Sequence, residues 1–171
     1  MAVAEHTISG SGTKDRELLI AYLNTGTNLS PTWSPIGKRV EDSSVEYDWQ
    51  TEVKKDILGL TWATMKKPTM TQTFDPCELD GSDDAQQKIW KLAVVDQDIN
   101  ALAAQDMLLV HSYGNFAERY EASMIAPSSL GGEGGGFLQM PFEVTFGGTR
   151  TVGSVTVDSQ TGAITFVPDT P

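Results

Sequence analysis

Between Val45 and Val53 the chain alternates in character: Val45, Tyr47, Trp49, Thr51 and Val53 on one side, Glu46, Asp48, Gln50 and Glu52 on the other. Successive side chains of a strand point to opposite faces, so this run predicts one strand with an apolar and an acidic face. Upstream, Leu18, Ile20 and Tyr22 share one face and Leu19, Ala21 and Leu23 the other. Both faces are apolar, which predicts a first strand covered on each side. The turn Asn24-Thr25-Gly26-Thr27-Asn28 then reverses the chain. Strand character resumes from Leu60 to Pro76 with a break at Pro68, because proline cannot donate to a central ladder. Residues 41–76 therefore read as a long hairpin-like excursion.

The period changes to that of a helix from Ser82 or Asp83 to about Ala103. Ser82 is a candidate N-cap, Asp83 and Asp84 suit the positive end of the helix, and Leu92, Val95, Ile99 and Leu102 form a stripe expected to pack. Beyond it, "AQDMLLVHSYG" and "FAERYEASMIAPSS" read as strands, "GGEGGG" (131–136) as a flexible loop, and Leu138, Met140, Phe142, Val144 and Phe146 as a core face. A terminal hairpin, "TVGSVTVDSQTGAITFVP", closes the chain. Seven or eight strands and one helix predict a mainly β, two-sheet sandwich or barrel-like domain with a flanking helix.

A chain of 171 residues suits one domain, 1–171, with a loose N-terminal arm over 1–15 and a short loose tail over 168–171. The net charge of −11 opposes any protein that holds nucleic acid by neutralising phosphates, although it suits a surface along which DNA passes without sticking. With Cys77 alone, no intrachain disulfide or Cys-rich zinc site is available. The first residues lack the basic and apolar regions of an export signal, and no apolar run approaches the length of a membrane span, so neither is expected.

Candidate chemistry is sparse. The glycine run lacks the Lys-Ser/Thr of a phosphate loop and carries Glu133 where an anion would be repelled. "DPCELDGSDD" (75–84) fails as a calcium loop, since Pro76 is no ligand and the position of the closing glutamate is Gln87; a helix cap is the better reading. His111 lies in an apolar strand and reads as a satisfied buried histidine. Cys77 stands among Asp75, Glu78 and Asp80, which disfavours a thiolate nucleophile. No catalytic residue, metal site or cofactor is expected. Glu46, Asp48 and Glu52 are like charges on one predicted face, and they gain from facing a wide hydrated space.

Taken in order, "NTGT" (24–27), "WSPIG" (33–37), the alternating strand and "TQTFDP" (71–76) before a single helix resemble the major tail proteins of long-tailed phages, the tail tube subunits of the TP901-1 type. The resemblance implies hexameric rings stacked into a tube, each subunit adding strands to an inner β-barrel with an acidic lumen. It implies that residues 41–72 link rings and form part of the wall, that Glu46, Asp48 and Glu52 face the lumen, and that the arms order on assembly. Implied partners are further copies of the chain, a tape measure protein, a tail terminator, distal tail or baseplate proteins, and passing genomic DNA that is not specifically bound. No membrane is involved, and the implied location is the virion tail, with assembly in the host cytoplasm. The competing expectation is a soluble β-sandwich binding module for a carbohydrate or protein ligand, for carbohydrate with Trp33, Trp49 and Trp62 as stacking platforms.

Overall fold

The computed structural model describes residues 6–170. Met1 to Glu5, the start of the expected arm, and Pro171 lie outside the described residues. The protein is mainly β, with 42% strand and 13% helix. Its strands are β1 (Leu19–Asn24), β2 (Trp33–Ile36), β3 (Val45–Asp48), β4 (Glu52–Lys55), β5 (Thr61–Thr64), β6 (Thr69–Phe74), β7 (Gln105–His111), β8 (Phe116–Pro127), β9 (Phe142–Phe146), β10 (Arg150–Val157) and β11 (Ile164–Pro168). All but β4 and β5 belong to one sheet that curls on itself.

The curl is made by β8, the longest strand. Its first part pairs with β7 and with β10, whereas residues 124–127 pair with β9. One half of the sheet is thus β2-β1-β7-β8-β10-β11 and the other is the end of β8 followed by β9, β6 and β3. At the corner a register shift falls between Gln105 and Met107, Ala122 N–H donates to the Gly147 carbonyl at 3.2 Å, and Gly148 adopts a φ of +81°. A strand that changes sheets at an irregularity is how two packed sheets share a corner. The alternating apolar residues decide which way the sheet closes: Leu23, Met107, Leu109 and Tyr120 from one half meet Met70, Phe74, Ile125, Phe142, Val144 and Phe146 from the other. On the far face of the first half, Trp33, Leu108, Val110 and Ala117 form a second cluster, against which Tyr22, Val155, Ile164 and Phe166 pack. Apolar residues on both faces of β1 and β7 are explained by these two clusters.

The turn after β1 is fixed by Asn24. Its side-chain oxygen accepts from the N–H groups of Gly26 and Thr32 at 2.9 and 3.0 Å, and its amide donates to buried Asp106 at 3.0 Å. A Cβ on Gly26 would meet the Ser30 carbonyl at 2.6 Å, so the turn requires glycine there.

Two expectations are corrected. The alternating run is not one strand: Asp48 Oδ1 accepts from Gln50 N–H at 3.0 Å, Gln50 takes a φ of +47°, and Glu52 begins the separate β4–β5 hairpin. A side chain that hydrogen-bonds two residues ahead competes with the ladder, and here it wins. The helix is also interrupted. Helix α1 (Asp84–Trp90) is capped by Asp83, whose Oδ1 accepts from Gln86 N–H at 3.0 Å; a π turn covers Lys91–Val95, and α2 (Ile99–Leu102) follows with Asp98 as its cap. Gln97 at a φ of +47° separates them. The buried face is Ala85, Gln86 and Ile89, while Val95 and Ile99, expected to pack, are 55% and 76% exposed. No helix among the described residues is long and apolar enough to cross a membrane.

Candidate functional site

The half-sheet of β3, β6, β9 and the end of β8 turns its apolar side inward. Alternation therefore sends the intervening residues outward, and the register sets them in rows. Glu46 pairs with Thr71, and Thr71 with Thr145; Asp48 pairs with Thr69, and Thr73 with Glu143. Thr73 Oγ1 donates to Glu143 Oε2 at 3.3 Å. On β3, β6 and β9 these rows present threonine and carboxylate, with no cation among the named positions, and on β8 they end in Met124, opposite Thr145, and Ala126, opposite Glu143. Among the described residues no strand pairs with the far edge of β3, or with residues 124–127 of β8 on the side away from β9. The half-sheet therefore ends in two edges that no described strand pairs, with α2 lying against β8.

Of the three expected acidic residues, Glu46 and Asp48 stand together on this face. Glu52 does not; it lies on β4, where its carboxylate pairs with Lys54 at 3.2 Å. Glu143 takes its place on the acidic face. The signal for it was in the sequence, since Glu143 and Thr145 alternate with Phe142, Val144 and Phe146 as Glu46 and Asp48 alternate with Val45 and Tyr47.

Both strands of the β4–β5 hairpin are exposed along their whole length. Asp56 holds its turn: Oδ1 accepts from the N–H groups of Leu58 and Leu60, each at 2.9 Å. That turn raises Ile57 and Leu58, 102% and 80% exposed, as the tip.

Between the two halves lies a cavity of about 600 Å³ walled by Tyr47, Trp49, Met70 and Phe146 and closed by Glu118 and Arg150. Tyr47 and Trp49 stack at 6.0 Å with their planes 13° apart. Buried Glu118 accepts from Arg150 Nε at 2.7 Å, from His111 Nε2 at 2.9 Å and from the Tyr120 hydroxyl at 3.1 Å. Burial acts to raise the Glu118 carboxyl, but the hydrogen bonds from His111 and Arg150 outweigh it and hold the group below its ordinary value. His111 Nδ1 meets the Tyr113 hydroxyl at 2.8 Å, so both ring nitrogens have partners. A second charge pair, Arg119 on Asp106, is made through Nε at 3.0 Å and a terminal nitrogen at 2.7 Å.

The remaining candidates sit apart. Cys77 is buried, and burial first, with Asp83 nearby, pushes its thiol up to about 11. Asp80 accepts from Ser82 and pairs with Lys38 at 3.0 Å, forming the approach to α1. Among the described residues no group of three or more His, Cys, Asp or Glu is placed to hold a metal. Trp33 is buried beneath the Arg119 guanidinium, 5.5 Å from its ring, and Trp62 stands on the exposed hairpin, so the three tryptophans do not form one stacking platform. In the described part of the N-terminal arm, His6 reaches the Asn115 carbonyl at 2.9 Å and Asp169 Oδ2 at 2.7 Å, and Ser9 N–H donates to the Tyr113 carbonyl at 2.7 Å.

No protein-family model matches this sequence, and none of the curated proteins matches it. Among solved structures, the chain is similar to one in the sheath–tube complex of an extracellular contractile injection system in its extended state. That likeness has a TM-score of 0.45 and 10% identity, covering 80% of this chain and 88% of the other. It is also similar to the tube-terminating cap of the anti-feeding prophage, with a TM-score of 0.48 and 11% identity, covering 86% of this chain and 95% of the other.

Proposed function

We propose that this protein is a structural tail tube subunit of a phage or phage-like particle, without catalysis, that assembles into stacked hexameric rings around a conduit for DNA. The observation that carries the reading is the half-sheet of β3, β6, β9 and the end of β8, which ends in two edges that no described strand pairs and has one face of threonines and carboxylates bordered by Met124 and Ala126. An unpaired sheet edge is a ready template for another strand, and joining the β3 edge of one copy to the β8 edge of the next removes both. Closure of the ring with Glu46, Asp48 and Glu143 inward gives a lumen that repels phosphate, so DNA slides rather than binds. Threonines supply an uncharged, hydrated surface between the acids. The hexameric number and the stacking are what the resemblance to major tail proteins implies. The exposed hairpin supports the link between rings, since a monomer gains nothing from an apolar tip in water.

Sedimentation and negative-stain microscopy of the purified chain across concentration and salt test this function. Rings or tubes are expected; a species that stays monomeric throughout would overturn it.

A further inference from the structure

Gln72 stands on the inward face of β6, between Met70 and Phe74, where the alternation of the strand calls for an apolar side chain. It is 1% exposed. Its Nε2 donates to the Ser43 hydroxyl at 3.0 Å, but its Oε1 has no hydrogen-bond partner among the described residues. A buried acceptor without a donor is costly, so its presence in a core position points to a donor supplied from outside the chain. The nearest strong donor is already spent. Arg16 gives Nε and one terminal nitrogen to the Ser43 carbonyl, at 3.1 and 2.7 Å, and its other terminal nitrogen to the Leu19 carbonyl at 2.6 Å.

Gln72 lines a cavity of about 470 Å³ between β1 and β6, a volume within the range of small-ligand sites. Its inner wall is buried, formed by Ala21, Ile36, Ser43 and Phe74. Its rim is exposed and acidic, with Asp15, Glu17, Glu41 and Asp42 set against one cation, Arg16. Four carboxylates against one guanidinium select a positively charged occupant. Among the described residues no group of three or more His, Cys, Asp or Glu is placed to hold a metal, so the charge has to arrive on a larger group than a bare ion. A primary ammonium has three donors and no acceptor, which suits Gln72 Oε1. The apolar wall suits a methylene chain leading from it to the rim.

We propose that this cavity binds a short aliphatic diamine. One ammonium donates to Gln72 Oε1, with Ser43 Oγ beside it as a second acceptor. The methylenes lie along Ile36 and Phe74, and the second ammonium reaches the carboxylates of Glu41 and Asp42 at the rim. The orphan acceptor inside and the acids outside thus belong to one ligand, and neither is used by the tube reading.

Isothermal titration calorimetry of the full-length chain with the four-carbon diamine putrescine tests the site. Saturable binding at one site per chain is expected by about 10 mM. Butylamine, which lacks the second ammonium, should bind about tenfold more weakly, and the diol and the dicarboxylate of the same length should give no saturable heat. Gln72→Leu keeps the position apolar and buried, and it is expected to weaken putrescine about tenfold through the lost hydrogen bond to the ammonium. Glu41→Gln combined with Asp42→Asn should weaken putrescine and leave butylamine unchanged. Three results would each overturn the proposal: no saturation by putrescine, equal affinity for the diol, or unchanged putrescine affinity in a Gln72→Leu chain whose circular dichroism is native. If Gln72→Leu fails to fold, the exposed pair decides, and equal putrescine affinity in Glu41→Gln with Asp42→Asn overturns the site.

Discussion

Gly148 lies against Ala122 at the corner where β8 passes from one half of the sheet to the other. A Cβ added to Gly148 would stand 2.8 Å from both the backbone nitrogen and the Cβ of Ala122, on a backbone whose φ is +81°. Ala122 is held against this turn by its N–H, which donates to the Gly147 carbonyl at 3.2 Å. The left-handed conformation costs a side chain about 1–2 kcal/mol and the contact adds to it. Gly148→Ala is therefore expected to lower stability by about 3 kcal/mol in urea unfolding. A loss below about 0.5 kcal/mol, the ordinary range for a surface position, would mean that the corner is not fixed in this way.

Glu118 is the anion on which His111, Arg150 and Tyr120 converge. Removing one partner of a buried ion pair leaves the others uncompensated, so Glu118→Ala is expected to cost about 3 kcal/mol. Because the folded carboxyl lies below its ordinary value, its contribution is present above the ordinary carboxylate pKa and is lost as pH falls through the folded one. The stability gap between the unsubstituted chain and Glu118→Gln should accordingly narrow as the solution is acidified from pH 6, measured by denaturant unfolding at each pH. A constant gap would contradict the assignment.

Both partners of the His6 ring, the Asn115 carbonyl and the Asp169 carboxylate, accept hydrogen bonds. The hydrogen bond to Asp169, foremost among the causes, raises the His6 pKa. A raised value means the docked arm is favoured below the ordinary histidine pKa and released as pH rises through the folded one. In an NMR titration the His6 midpoint is expected above that of a free histidine and should fall in Asp169→Asn; an unmoved midpoint would rule out the contact.

Cys77 is expected to resist thiol reagents. A thiol pushed up to about 11 holds about a hundredfold less thiolate at pH 8 than an ordinary cysteine. Labelling of the native chain should lag that of the urea-unfolded chain by at least about that factor, and equal rates would show the site to be open.

How far the fold was legible depended on whether the local pattern met a competing interaction. In β7 and β9 nothing competes, and the apolar runs around Leu109 and Val144 read directly as buried strand. At Asp48 and Asp98 a short carboxylate bonds the backbone two or three residues ahead, so the strand stops before Gln50 and the helix breaks at Gln97. Periodicity contains no term for that bond. The acidic face was half legible: Glu46 and Asp48 were found on one strand, whereas Glu143 joins them only through the pairing of β6 with β9, a register that no local window encodes. The cavity beside Glu118 was not legible, because it is built by residues far apart in the chain.

Lysine at Glu46, Asp48 and Glu143 places cations on the proposed lumen without touching the core. Monomer stability is expected to change by less than about 0.5 kcal/mol, while assembled tubes should begin to retain DNA at low salt and release it as salt rises. Tubes that retain no DNA after the change would remove these residues from the conduit.

The central claim concerns which face of the β3–β6–β9 half-sheet surrounds the conduit and which edges join. A cryo-electron microscopy reconstruction of the assembled chain measures both at once. Thr71, Thr145, Glu46, Asp48 and Glu143 are expected on the inner wall, with β3 of each copy hydrogen-bonded to residues 124–127 of its neighbour. A reconstruction with that face on the outside, or with the two edges unjoined, would contradict it.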